Sequence, residues 1–312
     1  MQALKMDEHQ ADIPRRLPKT PTPWNRSTPP VVPVDALSVA ESEPPPYERI
    51  VFGPTLIGRL PELPMTAIRT ILELSDTRKL AGIDDLTERL YDIDTILVEH
   101  DDPRSMMTLM VSHTTQRILS YLHATSYDDP IWVQQCVLTI GKKFLRNLYG
   151  VLTGGLVDMG WERFYRLIND RHVSMTRAAV TGLSAHLLLD FVASFSESGT
   201  DDFRKRDYML MTDHLNRGYA DLMHTLRQRF DVDLSDLFRV FFFTDRSISV
   251  PADATTDATE RFQRSFNVLR NRGWETAIAL SDHRHQKAKQ TISERWYNVD
   301  RALSNLDALG VL

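Results

Sequence analysis

A histidine and an aspartate interrupt the apolar stretch TGLSAHLLLDF at residues 181–191. His186 and Asp190 are four residues apart, so on a helix their side chains project from the same side, one turn apart. This spacing suits a hydrogen bond in which the carboxylate orients the imidazole as a general base. It also suits joint coordination of a divalent metal ion. A third interpretation is a buried pair whose role is purely structural.

A second predicted helix, at about 205–229, offers the same two residue types. Asp207 and His214 lie at the edge of its apolar stripe, which consists of Tyr208, Met211, Leu215, Tyr219, Leu222 and Leu226. We therefore expect Asp207 to join His186 and Asp190 as a catalytic residue. For a metal ion (Zn, Mn or Fe), the predicted ligands are His186 and Asp190 together with either His214 or Asp207. Whichever of His214 and Asp207 does not bind the ion is expected to lie close to it. The metal-free alternative requires no cofactor.

Three further residues are predicted to bind the substrate. Arg270 would bind an anionic or enolate oxygen, whereas Trp274 and Met211 would supply apolar surface. These surroundings favour a mostly apolar small molecule, and hydrolysis and intramolecular cyclisation both fit the predicted groups. We therefore expect a hydrolase or cyclase, acting with or without a metal ion, of the kind found in secondary metabolism. The alternative is a non-catalytic helical protein that binds a ligand or serves as a scaffold.

The elements that must position these residues are helices. Apolar residues recur with a period of 3.6 in segment after segment, whereas the alternation typical of strands is scarce. The one strand-like stretch is RVFFFT around Phe241. The predicted helices cover about 65–75, 84–98, 103–121, 130–154, 161–168, 174–196, 205–229, 258–280 and 283–307. The sequence thus predicts an all-α, bundle-like domain.

Proline usage divides the chain into two regions. Of the 16 prolines, all except Pro103, Pro130 and Pro251 lie at or before Pro64. Such a proline-rich segment forms little core of its own. We therefore predict a flexible, extended arm over residues 1–50 and a single helical domain over residues 51–312. The arm is predicted to contact a partner or a second subunit.

Composition excludes several classes of protein. A net charge of −5 and a pI near 6.1 argue against nucleic acid as a partner, because binding to a phosphate backbone needs clustered cations. Cys136 is the single cysteine, so no intrachain disulfide can form. The start of the chain lacks the pattern of a signal peptide, and no uninterrupted apolar stretch reaches about 18 residues. We expect a cytoplasmic protein without a membrane partner, acting on a small molecule.

Several of these segments resemble the motifs of a family of all-helical proteins, a domain of unknown function found mostly in actinobacteria and some fungi. Its motif G-M-N-A-H-I-x-x-D-L resembles residues 182–191, with Ser184 in place of the asparagine. Its F-x-D-P-x-W segment is similar to residues 127–132, D-F-x-x-[VI]-N to 207–212, and R-x-x-x-W to 270–274. The resemblance covers about residues 84–280 and implies an all-α fold, without an established reaction.

Overall fold

The computed structural model describes residues 48–53, 58–124, 127–232, 234, 258–282, 285–310 and 312. Helices make up most of this part of the chain, so the predicted all-α class is confirmed. Nearly all of the predicted arm, the RVFFFT stretch and most of the linker before residue 258 lie outside the described residues.

The helices follow the predicted order, and most bounds differ from the predicted ones by one to three residues. They are α1 Met65–Leu74, α2 Ile83–Glu99, α3 Ser105–Ala124, α4 Pro130–Thr153, α5 Met159–Asn169, α6 Met175–Ser184, α7 Phe191–Glu197, α8 Lys205–Arg217, α9 Tyr219–Phe230, α10 Ala258–Ser281 and α11 His285–Ala308. Short 3-10 turns cover Thr77–Lys79 and Asp202–Arg204.

Helix α4 shows how local chemistry sets these bounds. The Asp129 side chain accepts a hydrogen bond from the Trp132 N–H, and Pro130 occupies the first turn, where its missing N–H costs nothing. The helix ends at Gly154, whose φ of 65° is left-handed and favours glycine. The predicted range of 130–154 for this helix agrees with these bounds to within one residue.

A short two-stranded antiparallel sheet was not predicted. Strand β1, Arg49–Val51, pairs with β2, Leu156–Asp158, with Arg49 opposite Asp158. The Asp158 carboxylate also accepts hydrogen bonds from Asn147 and Arg146 of α4. Residues 49–51 are therefore attached to the helical domain by backbone pairing and by these polar contacts.

The central helix lies in the middle of the core and is not a regular α-helix. The run Met175–Glu197 is long and apolar enough to cross a membrane by length and composition, but 83% of its most apolar window is buried inside the protein, as expected for a core helix. Between α6 and α7, residues Ala185–Asp190 form a π-helix, in which the Phe191 N–H donates to the carbonyl of His186. The single helix predicted over 174–196 is therefore interrupted by this π segment.

The π segment changes which neighbours the two halves of the central helix contact. Helix α6 packs against α3, α5 and α11, whereas α7 packs against α4 and α10. Two glycines permit close approach. A Cβ at Gly182 would lie 2.8 Å from Met107 Sδ, and one at Gly160 would lie 2.4 Å from Leu189 Cδ1. The extra residue per turn thus places His186 and Asp190 where α5, α6 and α7 meet.

The helix predicted over 205–229 is two helices, which corrects that prediction. Helix α8 ends at Arg217, and α9 begins at Tyr219. The carbonyl of the intervening Gly218 faces His113 Nε2 of α3 at 3.1 Å, and a Cβ at Gly218 would lie 2.5 Å from the Arg117 side chain. Close contact with α3 at this glycine accounts for the break.

Candidate active site and adjoining cavity

The predicted pair His186–Asp190 is brought together in the core. Each residue is 3% exposed, and His186 Nδ1 lies 3.7 Å from Asp190 Oδ2. This separation is longer than a hydrogen bond. The two side chains are therefore neighbours that are not bonded to each other in this state.

Asp190 is held from the other side by a tryptophan. Trp161 of α5 is completely buried, and its indole Nε1–H donates to Asp190 Oδ2 at 2.9 Å. Burial raises the pKa of Asp190, while His186 and the Trp161 hydrogen bond oppose this shift. The carboxyl group therefore has a fixed orientation and a raised affinity for a proton.

The imidazole of His186 is one of several buried polar groups that lack a hydrogen-bond partner among the described residues. Neither ring nitrogen has a hydrogen-bond partner among the described residues, and both are buried. The ring packs against aromatic side chains instead, with centroid distances of 6.4 Å to Trp161 and 5.7 Å to Phe191. Each unsatisfied buried polar group costs on the order of 1–3 kcal/mol, so such groups are uncommon in folded proteins.

Asp207 was predicted to join this pair, but it has a different set of partners. It is 1% exposed, and its two carboxylate oxygens accept the backbone N–H groups of Asp128 (2.9 Å) and Asp129 (2.6 Å). These groups precede α4, and Arg204 reinforces the same region by pairing with Asp129. Asp207 thus fixes the start of α4.

His214 was a predicted metal ligand, and it too has other partners. Its Nδ1 forms a hydrogen bond of 2.9 Å with the Tyr127 hydroxyl, and its ring stacks on Tyr121 with centroids 3.6 Å apart. Burial lowers the pKa of His214, assisted by nearby Arg217. Burial and the charge of Asp207 raise the pKa of Tyr127 to about 12. His214 is therefore a neutral, bonded group between α3 and α8.

The predicted grouping of His186, Asp190, Asp207 and His214 is not formed. Within the described ranges, which include all four residues, no three His, Cys, Asp or Glu side chains are placed to hold one metal ion. The physical reason is that Asp207 and His214 bond to the α3–α4 connection instead. That the chain binds a divalent ion stays a prediction.

A small cavity of about 40 Å³ lies beside the pair. By volume it accommodates roughly two or three water molecules. Its wall is mostly apolar and comes from the π segment, α7, α8, α10 and α11, namely Leu187, Leu188, Phe191, Val192, Phe195, Tyr208, Thr212, Leu215, Leu269, Arg270, Gly273, Thr276, Ile292 and Arg295. His186 does not line it, but Phe191 both lines the cavity and packs on the His186 ring.

The three predicted substrate-binding residues are placed differently from one another. Arg270 lines the cavity, with its guanidinium paired to Asp213 and within 3.3 Å of the Thr212 hydroxyl. Trp274 and Met211 are buried and do not line it. Trp274 stands behind the wall, 5.0 Å from the ring of Tyr208 by centroids.

Of the residues that line the cavity, only Arg270 was predicted from the sequence to bind the substrate. Phe191 lies in the family motif without a predicted role in binding, and Arg295 carries no prediction. The available signal for Arg295 was its position three residues after Ile292 and directly before Trp296, beside the apolar face of α11. A charged residue at the border of an apolar stripe is common on surface helices, so this signal is weak.

Comparison with known proteins gives one match. No curated protein and no solved structure shows significant similarity to the chain. A sequence-family model, described as a family of unknown function, matches residues 83–306. This range is most of the chain and includes every candidate residue discussed above. The predicted membership in a domain of unknown function is thereby confirmed, and the chain belongs to the family of unknown function DUF5995.

Proposed function

We propose that the protein binds a mostly apolar small molecule in the cavity between α7, α8, α10 and α11. The observation that carries this proposal is the cavity itself. Apolar side chains from five helical segments, the π segment among them, line it, and the polar groups on its wall are few. Ligand sites in proteins commonly combine an apolar wall with a small number of convergent polar groups. At about 40 Å³ the cavity would have to widen for a larger ligand.

Methyl NMR on the full chain tests this proposal with 1-octanol as the probe. Binding should shift the methyl signals of Leu188, Val192 and Ile292 and leave those of Leu90 in α2 unchanged. Leu215→Phe adds a ring to the cavity wall and should weaken binding at least tenfold. Leu309→Phe makes the same change at an exposed position and serves as the control. Shifts that spare the cavity, or equal binding by Leu215→Phe, would refute the proposal.

A second candidate function is catalysis at the His186–Asp190 pair. It is supported by the unpartnered imidazole and by the π segment, since π-bulges are frequent at functional sites. If the imidazole rotates to donate Nδ1–H to Asp190, the carboxylate held by Trp161 would fix the tautomer that leaves Nε2 as a base. Movement of the Phe191 ring would have to expose that nitrogen to a molecule in the cavity.

Hydrolysis of p-nitrophenyl octanoate, an apolar ester, tests the catalytic candidate. We expect His186→Gln to lower the rate at least 100-fold, as for loss of a general base. His224→Gln, at an exposed position on α9, should leave it unchanged. Equal rates for all three proteins would remove the support for this candidate. Metal content of the wild type and of His186→Ala, measured by mass spectrometry, would test the metal-dependent version.

We also propose that Gly182, His186 and Asp190 are signature positions of the family. Gly182 permits the close approach of α6 to Met107 and Phe164, and the other two form the buried pair. An alignment of family members tests this proposal. Free variation of His186 and Asp190 among members would contradict it.

A further inference from the structure

A groove of about 310 Å³ lies between α10 and α11, next to the cavity. Thr276 and Arg295 line both spaces, so the groove and the cavity meet at these two residues. Arg272 and Lys287 also line the groove, and Glu275 is its acidic lining residue. The groove therefore carries more positive than negative charge, and polar groups make up a larger share of its surface than of the cavity's surface.

Arg295 is the charged group at the junction. Its side chain is half-buried, and it makes no hydrogen bond or ion pair with any residue that the structure describes. Burial lowers the pKa of Arg295 and the charge of Arg272 lowers it further, while Glu275 opposes both. By contrast, the cavity's other guanidinium, on Arg270, is paired with Asp213. Within the described part of the chain, Arg295 is thus a cation at the mouth of a mostly apolar cavity that has Glu275 in the same groove but makes no direct ion pair.

We propose that the ligand carries an anionic head group, a carboxylate or a phosphate, which binds the Arg295 guanidinium where the groove meets the cavity. The apolar part of the ligand then extends past Thr276 into the cavity. This inference rests on the proposed binding function and specifies its ligand as an amphipathic anion. A guanidinium can donate two parallel hydrogen bonds to either head group, which gives orientation as well as attraction.

Four probes with the same eight-carbon chain test the inference by calorimetric titration of the full chain: octanoate, octyl phosphate, 1-octanol and octylamine. At least one of the two anions should bind tenfold or more tightly than 1-octanol, and octylamine should bind most weakly. The tighter of the two anions identifies the head group. Arg295→Gln should reduce the affinity for the anions to about that for 1-octanol. Arg295→Lys should have an intermediate affinity, because lysine keeps the charge but lacks the planar guanidinium with its two parallel N–H donors.

The matched control is Arg69→Gln, which removes the same charge from an exposed position on α1 and should leave every affinity unchanged. Circular dichroism establishes that each variant is folded. Equal binding of anions and 1-octanol, or full anion affinity in Arg295→Gln, would overturn the inference.

Leu215→Phe separates failure of this inference from failure of the proposed function. If anions and 1-octanol bind equally and Leu215→Phe weakens both, the cavity proposal stands and the head-group inference falls. If anion binding depends on Arg295 but not on Leu215, the anion site stands and the cavity proposal falls. If none of the four probes binds, both are overturned.

Discussion

Two buried pairs, each with one histidine and one aspartate, differ in how their polar atoms are used. In the pair on α8, Asp207 accepts two backbone N–H groups, and His214 bonds to Tyr127. In the pair on the π segment, Asp190 is held by Trp161, whereas both ring nitrogens of His186 lack a partner among the described residues. The two pairs consist of the same residue types but differ in their local hydrogen bonding.

This difference separates a structural role from a candidate functional one. A buried polar group that is fully bonded stabilises the fold, and its removal leaves other groups unsatisfied. A buried group without partners adds a desolvation cost that the fold does not require. Groups that lower stability in this way are found at functional sites, where activity requires them. We therefore expect substitutions in the two pairs to have opposite effects on stability.

The largest effect should come from Asp207→Ala. The substitution leaves the backbone N–H groups of Asp128 and Asp129 without their acceptors, which should lower the free energy of unfolding by about 3 kcal/mol. Chemical denaturation monitored by circular dichroism measures this loss in the free energy of unfolding. Asp92→Ala, at an exposed position on α2, should have little effect and serves as the control. A loss below about 1 kcal/mol would contradict the assigned role.

The pH dependence of stability should report on His214. Its folded-state pKa is lowered by burial, so below about pH 6.5 the unfolded chain takes up a proton that the native state excludes. Stability should therefore fall as the pH drops through this value. His214→Gln should flatten the decline in part, because the pKa of half-buried His113 is lowered as well. Unfolding midpoints measured at several pH values test this, and an unchanged slope would count against it.

A smaller effect of opposite sign is expected for Asp190→Asn. The raised folded-state pKa means that Asp190 binds a proton more tightly in the native state, so its contribution to stability is lost as the pH rises from about 3.8 through the raised value. Asparagine removes the charge and can still accept the Trp161 N–H. Stability at pH 7 should be unchanged or higher.

The matched substitution is Asp207→Asn. One carboxylate oxygen becomes an NH₂ group that faces a backbone N–H, so this variant should be destabilised by about 1–3 kcal/mol. Denaturant titrations of both variants at pH 7 provide the comparison. Equal destabilisation by the two substitutions would contradict this comparison. It would mean that the surroundings of Asp190 stabilise its charge as well as the two backbone N–H groups stabilise that of Asp207.

Much of the fold could be predicted because local chemistry determines it. Asp129, Pro130 and Gly154 carry the signals that bound α4, and apolar periodicity locates the other helices. The burial of His186 and Asp190 also follows from that periodicity. These features depend on residues close together in sequence.

The remaining features depend on contacts between distant segments. The π segment has no sequence signature, and the hydrogen bond from the Trp161 indole N–H to the Asp190 carboxylate spans 29 residues. Asp207 lies beside the apolar stripe as predicted, but a helical wheel cannot show that the backbone before α4 uses both of its oxygens. Arg295 reaches the cavity because α11 packs beside α10, a contact that a single sequence does not reveal.

The most direct test is the stability of His186→Leu beside that of His214→Leu, measured by urea denaturation at pH 7. Leucine at position 186 removes two buried nitrogens that lack partners, so the free energy of unfolding should be no lower than that of the wild type. Leucine at position 214 removes the bond to Tyr127 and the stacking on Tyr121, and should cost about 2 kcal/mol. Equal destabilisation by the two substitutions would contradict the account, because His186 would then be a structural residue like His214.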